Sequence, residues 1–407
     1  MNRPEEMAEN LAMQLSEKVE TELVQDILPF WMNKMTDREN GGFYGQIDGN
    51  NRLIADAPKG GILNARILWT FSSAYRSINN PLYLETATRA RDYIFGHFFD
   101  HQNDGTYWSL TSWGEPLDTK KQIYSQAFFI YALSEYYLAT GDERCRDKAI
   151  QLFRLIEKYS FDAELDGYFE AYSSDWKLLD DLRLSEKDAN EKKTMNTHLH
   201  ILEAYTNLYR TWKDVGLEKQ LRNLIVIFLE KIVDPETAHL NLFFDENLVC
   251  KSSITSYGHD IECSWLLYEA ALELNDPEFT AKTKSICLKI VNATLQGLQP
   301  DGSIIYERDN GSGHIDYDIH WLLQAEAVVG FYNAFQLTGD KKYLLLADNC
   351  FSFVEKHLID TQYGEWYWSI RSDGSVNRSG DKAGFWKCPY HNGRMCLEIM
   401  KRVNNSV

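Results

Sequence analysis

The chain has 407 residues, 44% of them hydrophobic and 13% aromatic, ample material for a large core. Its formal net charge of -18 repels phosphate backbones and anionic membranes, so no nucleic acid and no membrane partner is expected, and a neutral or cationic small molecule is favoured. The seven cysteines are scattered and form no CxxC pair, which excludes zinc ribbons and redox motifs and fits reduced thiols in a cytoplasmic protein.

The first twenty residues are polar and acidic, with no apolar run that would mark a secretory signal. Two signals then alternate along the chain. Gly41-Gly42-Phe43-Tyr44 is a turn leading into aromatic residues. A stretch with helical period follows over 62–77, apolar nearly all round, as a buried helix should be. Asn79-Asn80-Pro81 stops it and restarts a more amphipathic helix over 83–99. The cycle returns with Asp104-Gly105-Thr106-Tyr107-Trp108, a helix over 122–139 and the break Thr140-Gly141-Asp142. It returns again with Asp166-Gly167-Tyr168-Phe169, a helix over 194–212 and Asp214-Val215-Gly216. Next come Asn241-Leu242-Phe243-Phe244, a helix over 256–274 and Asn275-Asp276-Pro277. Asp301-Gly302-Ser303-Ile304-Ile305-Tyr306 leads to a helix over 316–337, the break Thr338-Gly339-Asp340 and an outer helix over 341–357. Gly364-Glu365-Trp366-Tyr367-Trp368 precedes the last helix, 389–402.

Both signals recur at roughly 60 to 75 residues, the length of two helices and a loop. Six buried and six amphipathic helices predict an all-α fold, an (α/α)6 barrel with short β-hairpins in the loops at one mouth. An open solenoid is the alternative. No Pro/Gly/Ser-rich linker interrupts the pattern, so one domain over 1–407 is expected, and with no exposed apolar helix face, a monomer. The inner helices all begin on the side of the long loops, so a pocket belongs there, with helix N-termini supplying partial positive charge.

The first turns of those helices carry Asn64, Arg66, Tyr124, Gln126, Asn196, His198, His200, His259, Asp260, Glu262, Asp316, Asp318, His320, Trp321, Tyr390, His391, Asn392 and Arg394, with Glu326 further in. His259 and Glu262 are three apart on one face: the carboxylate can orient the imidazole, or the two form a buried structural pair. His391 follows Pro389, a residue suited to the first helical position, and either acts on a ligand or caps the helix. His200 lies four after Asn196 on one face, whereas His198 points away and reads as structural. Arg66 interrupts an apolar helix and needs an anionic ligand or a salt bridge to a glutamate such as Glu326. Tyr124, Trp321 and Trp386 offer rings on which a sugar face stacks, while Trp366 and Trp368 read as loop packing. His97, His101, His239, His314 and His357 fall on outer helices or loops and read as solvated or satisfied. No HExxH is present and the mouth imidazoles lack metal-ligand spacing, so no metal is expected.

These residues lie in stretches that resemble the N-acylglucosamine 2-epimerase superfamily. The stretches are Leu63-Asn64-Ala65-Arg66-Ile67-Leu68-Trp69, Met195-Asn196-Thr197-His198-Leu199-His200, Tyr257-Gly258-His259-Asp260-Ile261-Glu262, Gln324-Ala325-Glu326-Ala327 and Tyr390-His391-Asn392-Gly393-Arg394. The form Gly258-His259-Asp260-Ile261-Glu262-Cys263 is most similar to the cellobiose-epimerising branch. Where relatives often carry two successive tryptophans, Trp321 is followed here by Leu322. The resemblance implies inversion at C2 of the reducing-end glucose of a β-1,4-linked disaccharide, cellobiose or lactose, through an enediolate and without a cofactor. It assigns proton transfer to His259 and His391 from opposite inner helices, with Glu262 in support and Arg66 on the enediolate oxygen. Asn196 and His200 would bind hydroxyls and assist ring opening; Tyr124, Trp321, Trp386 and Glu326 complete the substrate-binding set. Three rivals stay open: an aldose–ketose isomerase on the same scaffold, a glycoside hydrolase using two carboxylates among Asp188, Glu262 and Glu326, and a non-catalytic sugar-binding or inhibitor protein.

Overall fold

Helix boundaries follow the breaks in the sequence. The computed structural model describes residues 3–405. The inner helices are α3 (Gly61–Ile78), α5 (Ile123–Thr140), α7 (Met195–Thr211), α9 (Tyr257–Glu273), α11 (Trp321–Thr338) and α13 (His391–Asn404). The outer ring begins with α1 (Arg3–Glu22) and α2 (Leu28–Lys34), joined by one widened turn, and continues through α4 (Pro81–Tyr93), α6 (Glu143–Tyr159), α8 (Val215–Ile227), α10 (Pro277–Thr294) and α12 (Lys341–Phe353). Each inner helix packs on the next, and α13 packs on α3 and on α1. That contact closes the ring and rules out the open solenoid; the fold is an (α/α)6 barrel.

The inner helices are apolar on every side because every side is covered. In α5 the whole run from Ile123 to Tyr136 is buried, whereas α6 buries only Cys145, Ala149, Leu152, Phe153 and Ile156 along one stripe. Each stop–restart signal is a cap. Asn80, Asp142, Asp214, Asp276 and Asp340 accept bonds from the first free backbone N–H groups of the outer helices, each worth about 1 kcal/mol.

Each aromatic turn is a small hairpin. The bridges Thr36↔Phe43, Phe99↔Thr106, Phe161↔Tyr168, Val233↔Leu240, Leu298↔Ile304 and Ile359↔Trp366 recur around the ring. Strand pairs cross from one unit to the next. Lys59–Gly60 pairs with Ser109–Leu110, Lys121–Gln122 with Ala171–Tyr172, Lys193–Thr194 with Phe243–Phe244, and Ile319–His320 with Ser369–Ile370. Helix α11 therefore starts at Trp321 and not at 316, because 315–316 and 319–320 are strand. At the joint between last and first units, Ile47 bridges Ala383.

Two further repeats hold this mouth together. Buried lysines reach back to the aspartate that starts the hairpin turn: Lys59–Asp37 at 2.7 Å, Lys121–Asp100 at 2.7 Å, Lys193–Asp162 at 2.8 Å and Lys382–Asp360 at 2.6 Å. The same aspartates accept backbone N–H bonds within their turns, so the buried charge is fully bonded. The second repeat is the fourth residue of an inner helix. Gln126 and Gln324 clamp the N–H and C=O of Thr106 and Ile304. His198 accepts from Tyr168 N–H through Nε2 at 3.0 Å, while its Nδ1 lies 2.6 Å from Thr194 C=O. Asp260 accepts from Leu240 N–H and pairs with His239 at 2.6 Å. His198 is thus a neutral clamp, with burial pushing its pKa down to about 4; Gly167, at φ +80°, leaves room for it, since a Cβ there would sit 2.9 Å from Nε2.

All seven cysteines are free thiols, and all but Cys250 are buried. No described helix is long and apolar enough to cross a membrane.

Candidate active site

If the fourth residue of an inner helix holds the mouth, the sixth faces its interior: Arg66, Phe128, His200, Glu262 and Glu326 occupy that position in α3, α5, α7, α9 and α11. Above them lies a cavity of 530 Å³, of the size small-ligand sites use. Arg66, Tyr124, Asn196, His200, His259, Glu262, Trp321, Trp386 and His391 all line it. A second cavity of 250 Å³ adjoins it and shares Asn196, His259 and Tyr306.

His391 and His200 are deeply buried, and each has a carboxylate behind it. His391 Nδ1 is 2.7 Å from Glu326 Oε1, and His200 Nδ1 is 2.9 Å from Glu203 Oε2. Nδ1–H donated to the carboxylate leaves Nε2 as the free base. Burial holds both imidazoles well below their ordinary pKa of 6.5, against the opposing pull of Glu262, so both are neutral at pH 7. His259 differs: it is half-exposed and its Nδ1 lies 2.8 Å from Ser256 Oγ.

Glu262 does not orient His259 as its spacing suggested. Its Oε1 accepts from Arg394 Nη2 at 2.7 Å and lies 3.9 Å from His391 Nδ1. Glu326, read as a substrate-binding residue, sits beneath the lining and accepts from Trp265 Nε1 at 3.0 Å, Arg394 Nη2 at 2.6 Å and His391. It is therefore a partner of His391 set behind the cavity wall. Nor are His259 and His391 on opposite helices: α9 and α13 both flank α11, and the helix across the ring from α13 is α7, which carries His200. Glu262, Glu326 and His391 bring three donor atoms within 4.8 Å of one another. Arg394 already donates to both carboxylates, so a guanidinium supplies the cation there.

Arg66 is fully buried and has no carboxylate partner. It donates to Tyr124 Oη at 2.9 Å and Trp386 C=O at 3.4 Å, and its plane lies over Phe128 at 4.2 Å. The salt bridge to Glu326 does not form. A buried guanidinium with spare donors is built for an anion. Three lining residues carry buried polar atoms with no protein partner: Arg66 Nε, Asn196 Oδ1 and Trp321 Nε1. Such atoms mark places where a ligand's hydroxyls bind.

Sequence reasoning missed several lining residues. Trp368 packs on Trp321 at 4.5 Å and lines the cavity, against its reading as loop packing; Trp366 is fully buried, as expected. Tyr306 stacks on His320 at 4.1 Å. The loop carrying Leu184 and Lys187 covers one side together with Asp188, which only the hydrolase reading had named; the loop shows no helix or strand period that would have flagged the others. Leu322 lies on the wall beside Trp321.

Residues 42–392 match the family model described as N-acylglucosamine 2-epimerase. The cellobiose 2-epimerase of Bacteroides fragilis is 55% identical over 386 residues, covering 95% of this chain and 98% of the relative. That of Ruminococcus albus is 40% identical, covering 96% and 99%. The solved structure of the cellobiose 2-epimerase from Bacillus thermoamylovorans superposes with a TM-score of 0.92 at 42% identity, covering 96% of this chain and 99% of that one. The chain belongs to the N-acylglucosamine 2-epimerase family.

Proposed function

We propose that this protein inverts C2 of the reducing-end glucose in β-1,4-linked disaccharides, turning cellobiose into glucosyl-mannose and lactose into epilactose. The whole chain, 1–407, serves as one catalytic domain, a monomer of the cytoplasm. One observation carries the reading: imidazoles with backed Nδ1 atoms share a cavity with a buried arginine that lacks any carboxylate partner. The 55% identity to a cellobiose 2-epimerase supports the substrate class.

The C2 proton of an aldose is acidic only when C1 is an open-chain aldehyde. Asn196 and His200 hold hydroxyls and help open the ring, and Tyr124, Trp321 and Trp386 hold the sugar faces. One of His391 and His259 removes the proton through Nε2. The electrons move into an enediolate, whose oxygen meets Arg66, an interaction worth roughly 3–4 kcal/mol in comparable anion holes. The other histidine returns a proton to the opposite face. Each histidine ends the cycle with its partner's original proton state, and exchange with solvent resets both, so no cofactor enters.

The paired-carboxylate chemistry of a glycosidase fits less well. Asp188 is bonded to Ser185, and Glu262 on the wall and Glu326 behind it are both ion-paired to Arg394. An aldose–ketose isomerase would use the same groups and deliver the proton to C1. Incubation with cellobiose in heavy water separates all three. Deuterium at C2 of an unsplit product with a mannose-type reducing end is expected. Release of monosaccharide, or a ketose as the main product, defeats the proposal.

A further inference from the structure

Arg394 lies one turn beyond His391 on α13 and is 1% exposed. Its Nη1 donates to Glu203 of α7 and to the Tyr390 hydroxyl, and Tyr390 in turn donates to Glu203. Its Nη2 donates to Glu262 of α9 at 2.7 Å and to Glu326 of α11 at 2.6 Å. Two of these carboxylates back the two buried imidazoles: Glu326 holds His391 and Glu203 holds His200. One guanidinium thus touches every carboxylate behind the site, from three helices at once.

We propose that Arg394 is a positioning residue that ties His391 and His200 into a single proton-binding unit. The charged and titratable groups facing the unit are Glu203, Glu262, Glu326, Tyr390, Tyr131 and Tyr124, with Arg66 and His259 on the cavity side. That makes three carboxylates against two guanidiniums. Two consequences follow. The fork fixes the carboxylates, and they fix which imidazole nitrogen faces the sugar. The positive charge also opposes protonation of both imidazoles, keeping them in the base form. A buried salt bridge with a purely structural role would do neither.

The inference rests on the epimerase reading only for its kinetic readout. Three variants test it: Arg394→Lys keeps the charge and loses the fork, Arg394→Met loses both, and Arg394→Met combined with Glu203→Gln restores the charge balance. C2 deuterium exchange on cellobiose gives kcat and KM against pH, and NMR of the imidazole carbons follows the histidines without substrate. Arg394→Met is expected to move the acid limb of kcat/KM up by about one pH unit or more and to lower kcat about 10²-fold, with KM changed less than about threefold. Arg394→Lys keeps the limb near its original place but loses about tenfold in kcat, and the double variant brings the limb back down. In the spectra of Arg394→Met, both imidazoles titrate higher. An unmoved acid limb in Arg394→Met, or in Arg394→Lys if only that variant folds a tenfold kcat loss that fails to appear, overturns the proposal. Imidazoles that titrate as in the unaltered protein overturn it too, even if wild-type exchange never occurs.

Discussion

Replacing Glu326 by Gln keeps the side chain's shape and removes its charge. Three donors converge on this carboxylate: Trp265 Nε1–H on Oε2, and Arg394 Nη2 with the His391 ring on Oε1. An amide offers one oxygen and one NH2 group, so whichever way it turns, a buried N–H faces another N–H. If the amide nitrogen meets Trp265, the buried indole N–H loses its carboxylate acceptor. If it meets His391, the ring must present Nδ1 as acceptor, and Nε2 then carries the proton and no longer serves as a base. A bond to a charged group contributes about 1.5–3 kcal/mol. The imidazolium formed in the transition state also loses the anion that stabilises it. Together these come to about 3–4 kcal/mol of barrier, or a fall in kcat of roughly 10²–10³-fold at about 1.36 kcal/mol per decade. C2 exchange followed by proton NMR in heavy water measures it, with circular dichroism to confirm the fold. KM should move little, because Glu326 is not on the cavity wall. A variant within about threefold of wild type would show that the Glu326–His391 bond does not set the base, and the role of His391 would fall with it.

Other predictions bear on separate parts of the molecule. Trp368→Ala, which removes the ring packed on Trp321, should raise KM about tenfold with kcat kept within a few fold, as measured by initial rates on cellobiose. His198→Gln should fold and retain activity, because Gln126 and Gln324 already perform this clamp in α5 and α11; a melting temperature lower by more than about 8 °C would contradict the equivalence. The same variant should resist acid better. His198 is held down to about 4 by burial, so its contribution to stability is present above its unfolded value near 6.5 and is lost as pH falls through the window between them. Glu22, at the seam between α1 and the last unit, behaves in the opposite sense. Burial and Asp26 push it up to about 8, so its contribution is complete below its unfolded value and is lost as pH rises through 8. Glu22→Gln, which still accepts from Trp366 Nε1, should flatten the fall in melting temperature as pH rises from about 5 to about 8, the window between the unfolded and folded values.

The ring was legible in the sequence because its signals are local. Helical period, caps and aromatic turns all act within a few residues. The start of α11 was misplaced because the polar run before it is strand: Ile315–Asp316 closes a local hairpin on Glu307–Arg308, and Ile319–His320 pairs with Ser369–Ile370 far along the chain, where no local pattern reveals it. The partners of the site residues failed for the same reason at longer range. Glu262 sits three residues from His259, so spacing paired them, yet Arg394, 132 positions on, takes the carboxylate. Glu326 reaches His391 across 65 positions. The lysine–aspartate pairs were there to be found: Asp37–Lys59, Asp100–Lys121 and Asp360–Lys382 keep separations of 22, 21 and 22 residues. They mark the same turn in three units, but charged residues read as surface until their burial is known.

In α5, α7, α9 and α11 the fourth and sixth residues divide two tasks between neighbouring positions. The fourth fastens a loop through backbone bonds, so it tolerates only groups that can grip a peptide unit. The sixth, in those four helices, faces the interior and clamps no hairpin. Architecture and reactivity are therefore separable within a single helical turn. A barrel built this way can acquire a new reaction by rewriting one tier of side chains, while the fastening tier beside it keeps the mouth open to the same shape of substrate.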